Sequence, residues 1–220
     1  MKTLSQHIIE RLQLNKDRIR KYEYSPKAKQ ELKNIIEKIT NSHKNDKVIN
    51  LNMIDTSEIN DMSDLFMGNK HNYNISDWDV SNVRNMEHMF YNSKFNQDIS
   101  KWNVSRVKSM RNMFHASNFN QDISQWDVSQ VEDMYFMFAE SKFNKDISKW
   151  NVSSVTNMQY MFAYSKFNQD ISQWDVSNVE AMTHMFLESD FDKNLTLWVN
   201  KLNNKYKEDL LKNIKKYIKV

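Results

Sequence analysis

Trp78, Trp102, Trp126, Trp150, Trp174 and Trp198 are the only tryptophans in 220 residues, and each stands 24 residues from the next. A fixed period of this size marks a chain built from small units, each unable to bury its apolar face alone and so forced to stack on its neighbours. The same period runs through Phe90, Phe114, Phe138, Phe162 and Phe186, and through Phe95, Phe119, Phe143, Phe167 and Phe191. Paired methionines keep the register at Met86/Met89, Met110/Met113, Met134/Met137, Met158/Met161 and Met182/Met185. The first unit is degenerate, with Ile54, Ile59, Met62, Leu65, Phe66 and Ile75 in place of the later pattern, as expected of an end coil with one neighbour.

Within one unit, Ile99, Trp102 and Val104 follow the L-x-x-L-x-L spacing of a leucine-rich repeat, which predicts a short strand near Trp102 to Val104. Val107, Met110, Met113 and Phe114 fall at i, i+3, i+6 and i+7, which predicts a helix with Ser105 as its N-cap. Ser117 to Asp122, reading SNFNQD, then returns the chain to the next strand; Asn and Asp suit its turns because they tolerate left-handed backbone angles. Glycine is not available for this purpose, since Gly68 is the only one. Stacked units would align ladders of Trp, Val, Met and Phe as a core, with Met filling gaps rather than ligating a cofactor.

The pattern ISxW[DN]VSxVxxMxxMFxxSxFNxD, over about residues 54–198, resembles the BspA-type leucine-rich repeats of bacterial surface proteins and mycoplasma lipoproteins. The resemblance implies a right-handed solenoid and a role in adhesion or protein binding. The expected fold class is α/β: a right-handed leucine-rich-repeat-like solenoid of strand-helix units with helical caps. The expected division is 1–50 as an N-terminal cap, 51–198 as the repeats and 199–220 as an amphipathic cap helix.

In the first cap, Ser25 as N-cap and Pro26 as first helical residue start a helix with Leu32, Ile35, Ile36 and Ile39 on one face. A shorter helix carrying Leu4, Ile8, Ile9 and Leu12 is expected before it. At the other end Leu202, Tyr206, Leu210, Leu211, Ile214, Tyr217 and Ile218 describe one amphipathic helix.

Charge divides the same way: the three regions carry net charges of +6, −8 and +5, giving the overall +3. The acidic middle argues against nucleic acid as partner. No apolar run is long enough for a membrane span or a signal-peptide core, and there is no cysteine for a disulfide, thiolate site or lipid anchor. The expectation is a cytoplasmic chain or one otherwise not exported by the signal-peptide route, of intracellular or viral origin, with surface display as the alternative.

Columns that change residue type between units separate candidate contact residues from those fixed by packing. These variable columns gather Tyr91, His115, Tyr135, Phe136, Tyr160, Tyr164 and His184. The rings could form a contact surface for a protein partner, since large aromatics are common interface anchors, or they could simply fill grooves between units. Asp98, Asp122, Asp146 and Asp170 invite a calcium reading, but one carboxylate per unit suits the capping of turn amides better. No nucleophile elbow, phosphate loop or metalloprotease motif occurs. The expectation is a non-catalytic protein-binding module without metal or cofactor. The alternative is a structural component that self-associates through its caps or solenoid ends.

Overall fold

The computed structural model describes Gln6 and residues 22–219; the helix expected around Leu4, Ile8, Ile9 and Leu12 lies outside them. Helix α1, Lys29–Ser42, buries Leu32, Ile36 and Ile39. It starts three residues later than Ser25 and Pro26 suggest, because the chain before it is held extended: Tyr24 bridges Ile54, and its carbonyl accepts the Asp55 N–H at 2.8 Å. Ala28 is the N-cap, and the Glu31 carboxylate accepts the Lys27 N–H at 2.7 Å. Two short strands, β1 (Ile49–Asn50) and β2 (Tyr73–Asn74), pair in parallel with Ile49 opposite Tyr73.

From there each unit lies on the next in a register of 24 residues. Parallel bridges join Asp61, Asn85, Ser109, Asp133, Asn157 and Ala181 in one row. This row falls five residues beyond the Trp102–Val104 segment where a strand is expected.

The helix expected from Ser105 to Phe114 is not formed. The N–H groups of Met110, Asn112, Phe114 and Ala116 donate to the carbonyls of Asp133, Tyr135, Met137 and Ala139 in the next unit, at 2.8–3.0 Å. The alternate N–H groups, of Met113, His115 and Ser117, turn back to Met110, Asn112 and Phe114 at 3.2 Å. A helix would spend all of these donors internally; here half of them hold neighbouring units together. Ser105 caps nothing helical: its own N–H donates to Asn103 Oδ1.

The run of turns requires two left-handed residues per unit, four positions apart. They are Asp64 and Gly68, His88 and Asn92, Asn112 and Ala116, Phe136 and Glu140, Tyr160 and Tyr164, and His184 and Glu188, with φ between 50° and 67°. In the SNFNQD segment, where left-handed turns are expected, φ stays negative.

Inside the stack, each indole N–H donates to a carbonyl of the preceding unit, as from Trp126 to Ile99, at 3.0–3.2 Å in all six cases. The buried indole is thus satisfied without a polar neighbour. Phe66, Phe90, Phe114, Phe138, Phe162 and Phe186 stack with centroids 5.5–5.8 Å apart. The second phenylalanine row stacks at 6.1–6.3 Å. The constant serine two residues before that row, buried at Ser93, Ser117, Ser141 and Ser165, accepts the phenylalanine N–H on its hydroxyl, as Ser93 does from Phe95 at 2.9 Å.

The rows end on tyrosines. Tyr73 lies 4.8 Å from Phe66, and Tyr217 meets Phe186 and Phe191 edge-on at 5.1 and 5.2 Å. The single helix expected from Leu202 to Ile218 is broken into α2, Lys207–Ile214, and a 3-10 turn, Lys215–Tyr217; another 3-10 turn, Thr196–Asn200, precedes them. The break brings the Tyr217 carbonyl to the Leu195 N–H at 2.9 Å, so the chain end continues the stacking. Among the described residues no helix is long and apolar enough to cross a membrane.

Candidate functional site

The turns that replace the expected helix set the variable columns on one outer strip. Arg111, Asn112, His115 and Ala116 in the third unit correspond to Tyr135, Phe136, Ala139 and Glu140 in the fourth. Because the units keep register, rings far apart in sequence come into contact. His88 lies 6.0 Å from Tyr91, Tyr91 5.0 Å from His115, His115 5.2 Å from Phe136, Phe136 4.4 Å from Tyr160, and Tyr160 5.0 Å from His184. Tyr135 joins at 4.6 Å from Phe136.

Tyr91, His115, Tyr135, Phe136 and Tyr160 therefore form one continuous ring strip, half-buried, with His184 at its end. Tyr164 stands apart, 53% exposed and without a ring contact. His88 and Arg111 belong to the strip although sequence reasoning did not single them out. His88 shares its column with Phe136 and Tyr160, which was the available signal. Arg111 has none in the sequence: its guanidinium covers the Tyr135 ring at 4.5 Å because Asp133 holds it at 2.9 Å.

His115 is the most enclosed imidazole of the strip. Its Nδ1 meets Asn112 Oδ1 at 2.9 Å and its Nε2 meets Glu140 at 3.4 Å. Burial pushes its pKa below the ordinary value, and Glu140 pulls it only partly back.

The aspartates of the calcium reading each brace a local turn. Asp98, Asp122, Asp146 and Asp170 each accept the N–H of the serine two residues on, at 2.8–2.9 Å. This bond holds the Asp98 and Asp146 carboxyls below the usual range. Among the described residues no three of His, Asp and Glu come together to hold a metal. A shallow polar groove at Asp122, Gln125, Asp146 and Lys149 has a counterpart 48 residues earlier at Asn74, Asp77, Asp98 and Lys101. The doubled period matches the alternation of K-W-N with Q-W-D in successive units.

A constant inner face, coil-to-coil hydrogen bonds in register and a variable outer strip define a tandem-repeat protein. Its stretches 30–142 and 115–217 match the family described as "Mycoplasma protein of unknown function, DUF285", and the chain belongs to that family. No curated protein and no solved structure matches it.

Proposed function

We propose that this chain is a non-catalytic repeat module that recognises a protein partner through the strip running from His88 to His184. We further propose that its units wind as a right-handed solenoid of the BspA leucine-rich-repeat kind. The observation that carries the binding reading is where the rings sit. Phe136 and Tyr160 occupy left-handed backbone positions, with φ of 53° and 56°, where a bulky side chain costs about 1–2 kcal/mol. Asn112 fills the same position at no such cost, so the fold does not need an aromatic residue there. A ring kept where the fold accepts a less strained residue supports a contact role for it.

The test is a triple replacement, Tyr135→Ser, Phe136→Asn and Tyr160→Asn, with thermal melting beside capture of partners from the native host. The reading expects a melt close to wild type and loss of the captured protein. Unchanged capture by a folded variant would move recognition off the strip.

A further inference from the structure

We propose that a row of polar grooves along the stack binds an extended, uncharged polysaccharide made of β-1,4-linked hexose rings. The row lies on columns other than those of the ring strip, so sugar binding and recognition of a protein partner are separable. Three grooves of similar size, about 330, 400 and 280 Å³, recur every 48 residues. The middle one is lined by Asp122, Ser124 and Gln125 of the third unit and by Lys145, Asp146 and Lys149 of the fourth. The others fall between units one and two, at Ser76 and Asp98, and between units five and six, at Ser172 and Lys193.

Glutamine closes the seams in between. Gln121 Nε2 donates to Asn96 Oδ1 at 3.2 Å, and Gln169 Nε2 to Asn144 Oδ1 at 2.9 Å, each reaching back over the seam to the preceding unit. Lys145 and Lys193 hold the matching place in the fourth and sixth units, and among the described residues neither bonds to the unit before it; Lys193 turns to Asp192 instead. The openings therefore repeat at every second coil, a step of about 10 Å at ordinary strand spacing.

That step and the lining select the ligand. Whatever fills all three grooves is a linear polymer whose contact group recurs once per two coils. In a β-1,4-linked chain each ring is turned over relative to the last, so the same edge recurs at every second ring, over about the same length. Each groove sets carboxylate or amide oxygens beside a serine hydroxyl and a lysine, and sugar hydroxyls both donate and accept. In the middle groove two lysines balance two aspartates, so no net charge is asked of the ligand. The row Asp98, Asp122, Asp146 and Asp170, one on each of four successive units, turns phosphate polymers away. Val48 and Leu197, 37% and 50% exposed, line the first and last grooves, where they meet the C–H faces of the end rings.

Isothermal titration of the full chain with cellohexaose and with N-acetylchitohexaose tests the proposal and separates two sources of such a chain. At least one should bind, about tenfold or more tighter than its own disaccharide, because the hexamer reaches three grooves and the dimer one. Maltohexaose, whose α-linkages coil the chain and break the repeat, should not bind. Lys145→Gln with Lys149→Gln gives the fourth unit the residues that the third carries as Gln121 and Gln125. Its melt should match wild type, since the repeat already folds with those residues, and hexamer binding should fall about tenfold as the middle groove closes.

No binding of either hexamer at millimolar concentration, equal binding of maltohexaose, or a folded double variant that binds as wild type does would each overturn the proposal. The ring variant, Tyr135→Ser with Phe136→Asn and Tyr160→Asn, should bind the hexamer unchanged; a folded ring variant that loses the sugar would place it on the strip and overturn the grooves as its site.

Discussion

Gly68 is the one glycine in the chain, it has φ +67°, and nothing lies within 4 Å of the place a Cβ would occupy. The demand there is purely conformational. Gly68→Ala is therefore expected to cost about 1 kcal/mol through left-handed strain alone. Gly68→Asn should cost less, since Asn92 occupies the matching position with φ 50°. Urea denaturation of the two variants checks the order, and an Ala variant as stable as wild type would refute the conformational account.

His115 gives a second test at this scale. Its folded pKa is depressed, chiefly by burial, so as pH falls below its ordinary value near 6.5 the unfolded chain takes up the proton first. The stability His115 contributes is complete above that pH and is lost as pH drops toward the folded pKa. Melting temperature should fall between pH 7.5 and 5.5 in wild type, and fall less in His115→Asn. Equal slopes would place the effect on another group.

At the scale of the element, the C-terminal segment carries the clearest expectation. Tyr217 covers Phe186 and Phe191, and Leu210 and Ile214 are buried with it. Ending the chain after Trp198 uncovers the last aromatic layer, and aggregation or partial unfolding should follow. Light scattering and a thermal melt would show it; a monomeric truncation with unchanged melting temperature would deny the covering role.

The same scale shows why the repeat core was legible in the sequence and its backbone was not. Val107, Met110, Met113 and Phe114 point inward in a helix and equally in a run of tight turns, so their spacing reports which side chains are buried and not how the chain carries them. The choice is made by carbonyls 23 residues away, such as Asp133 and Tyr135, which no local pattern contains. The start of α1 was misplaced for a related reason: Tyr24 is committed to Ile54 before Ser25 can act as a cap.

Over the whole molecule, the period did the work that a longer-range signal usually does. Because every unit repeats its register, residues 24 apart share a column and residues 25 apart fall in adjacent ones, so Tyr91, His115, Tyr135, Phe136 and Tyr160 could be grouped from sequence. The left-handed backbone of Phe136 and Tyr160 could not be foreseen, since bulky residues are rarely found there. The two overlapping family matches, sharing residues 115–142, reflect the same interchangeability of units.

That sameness has a mechanical consequence. The bonds that join one coil to the next recur along the stack, among them four backbone bonds from each Met-Phe segment to the next unit and one indole bond per unit. A chain stretched from its two ends should therefore not rupture at one weak seam. It should peel coil by coil, each event releasing 24 residues and lengthening the tether by roughly 80 Å at about 3.3–3.6 Å per residue. Single-molecule pulling would record this as a staircase of equal steps at similar force, and a single long rip would show that the coils let go together.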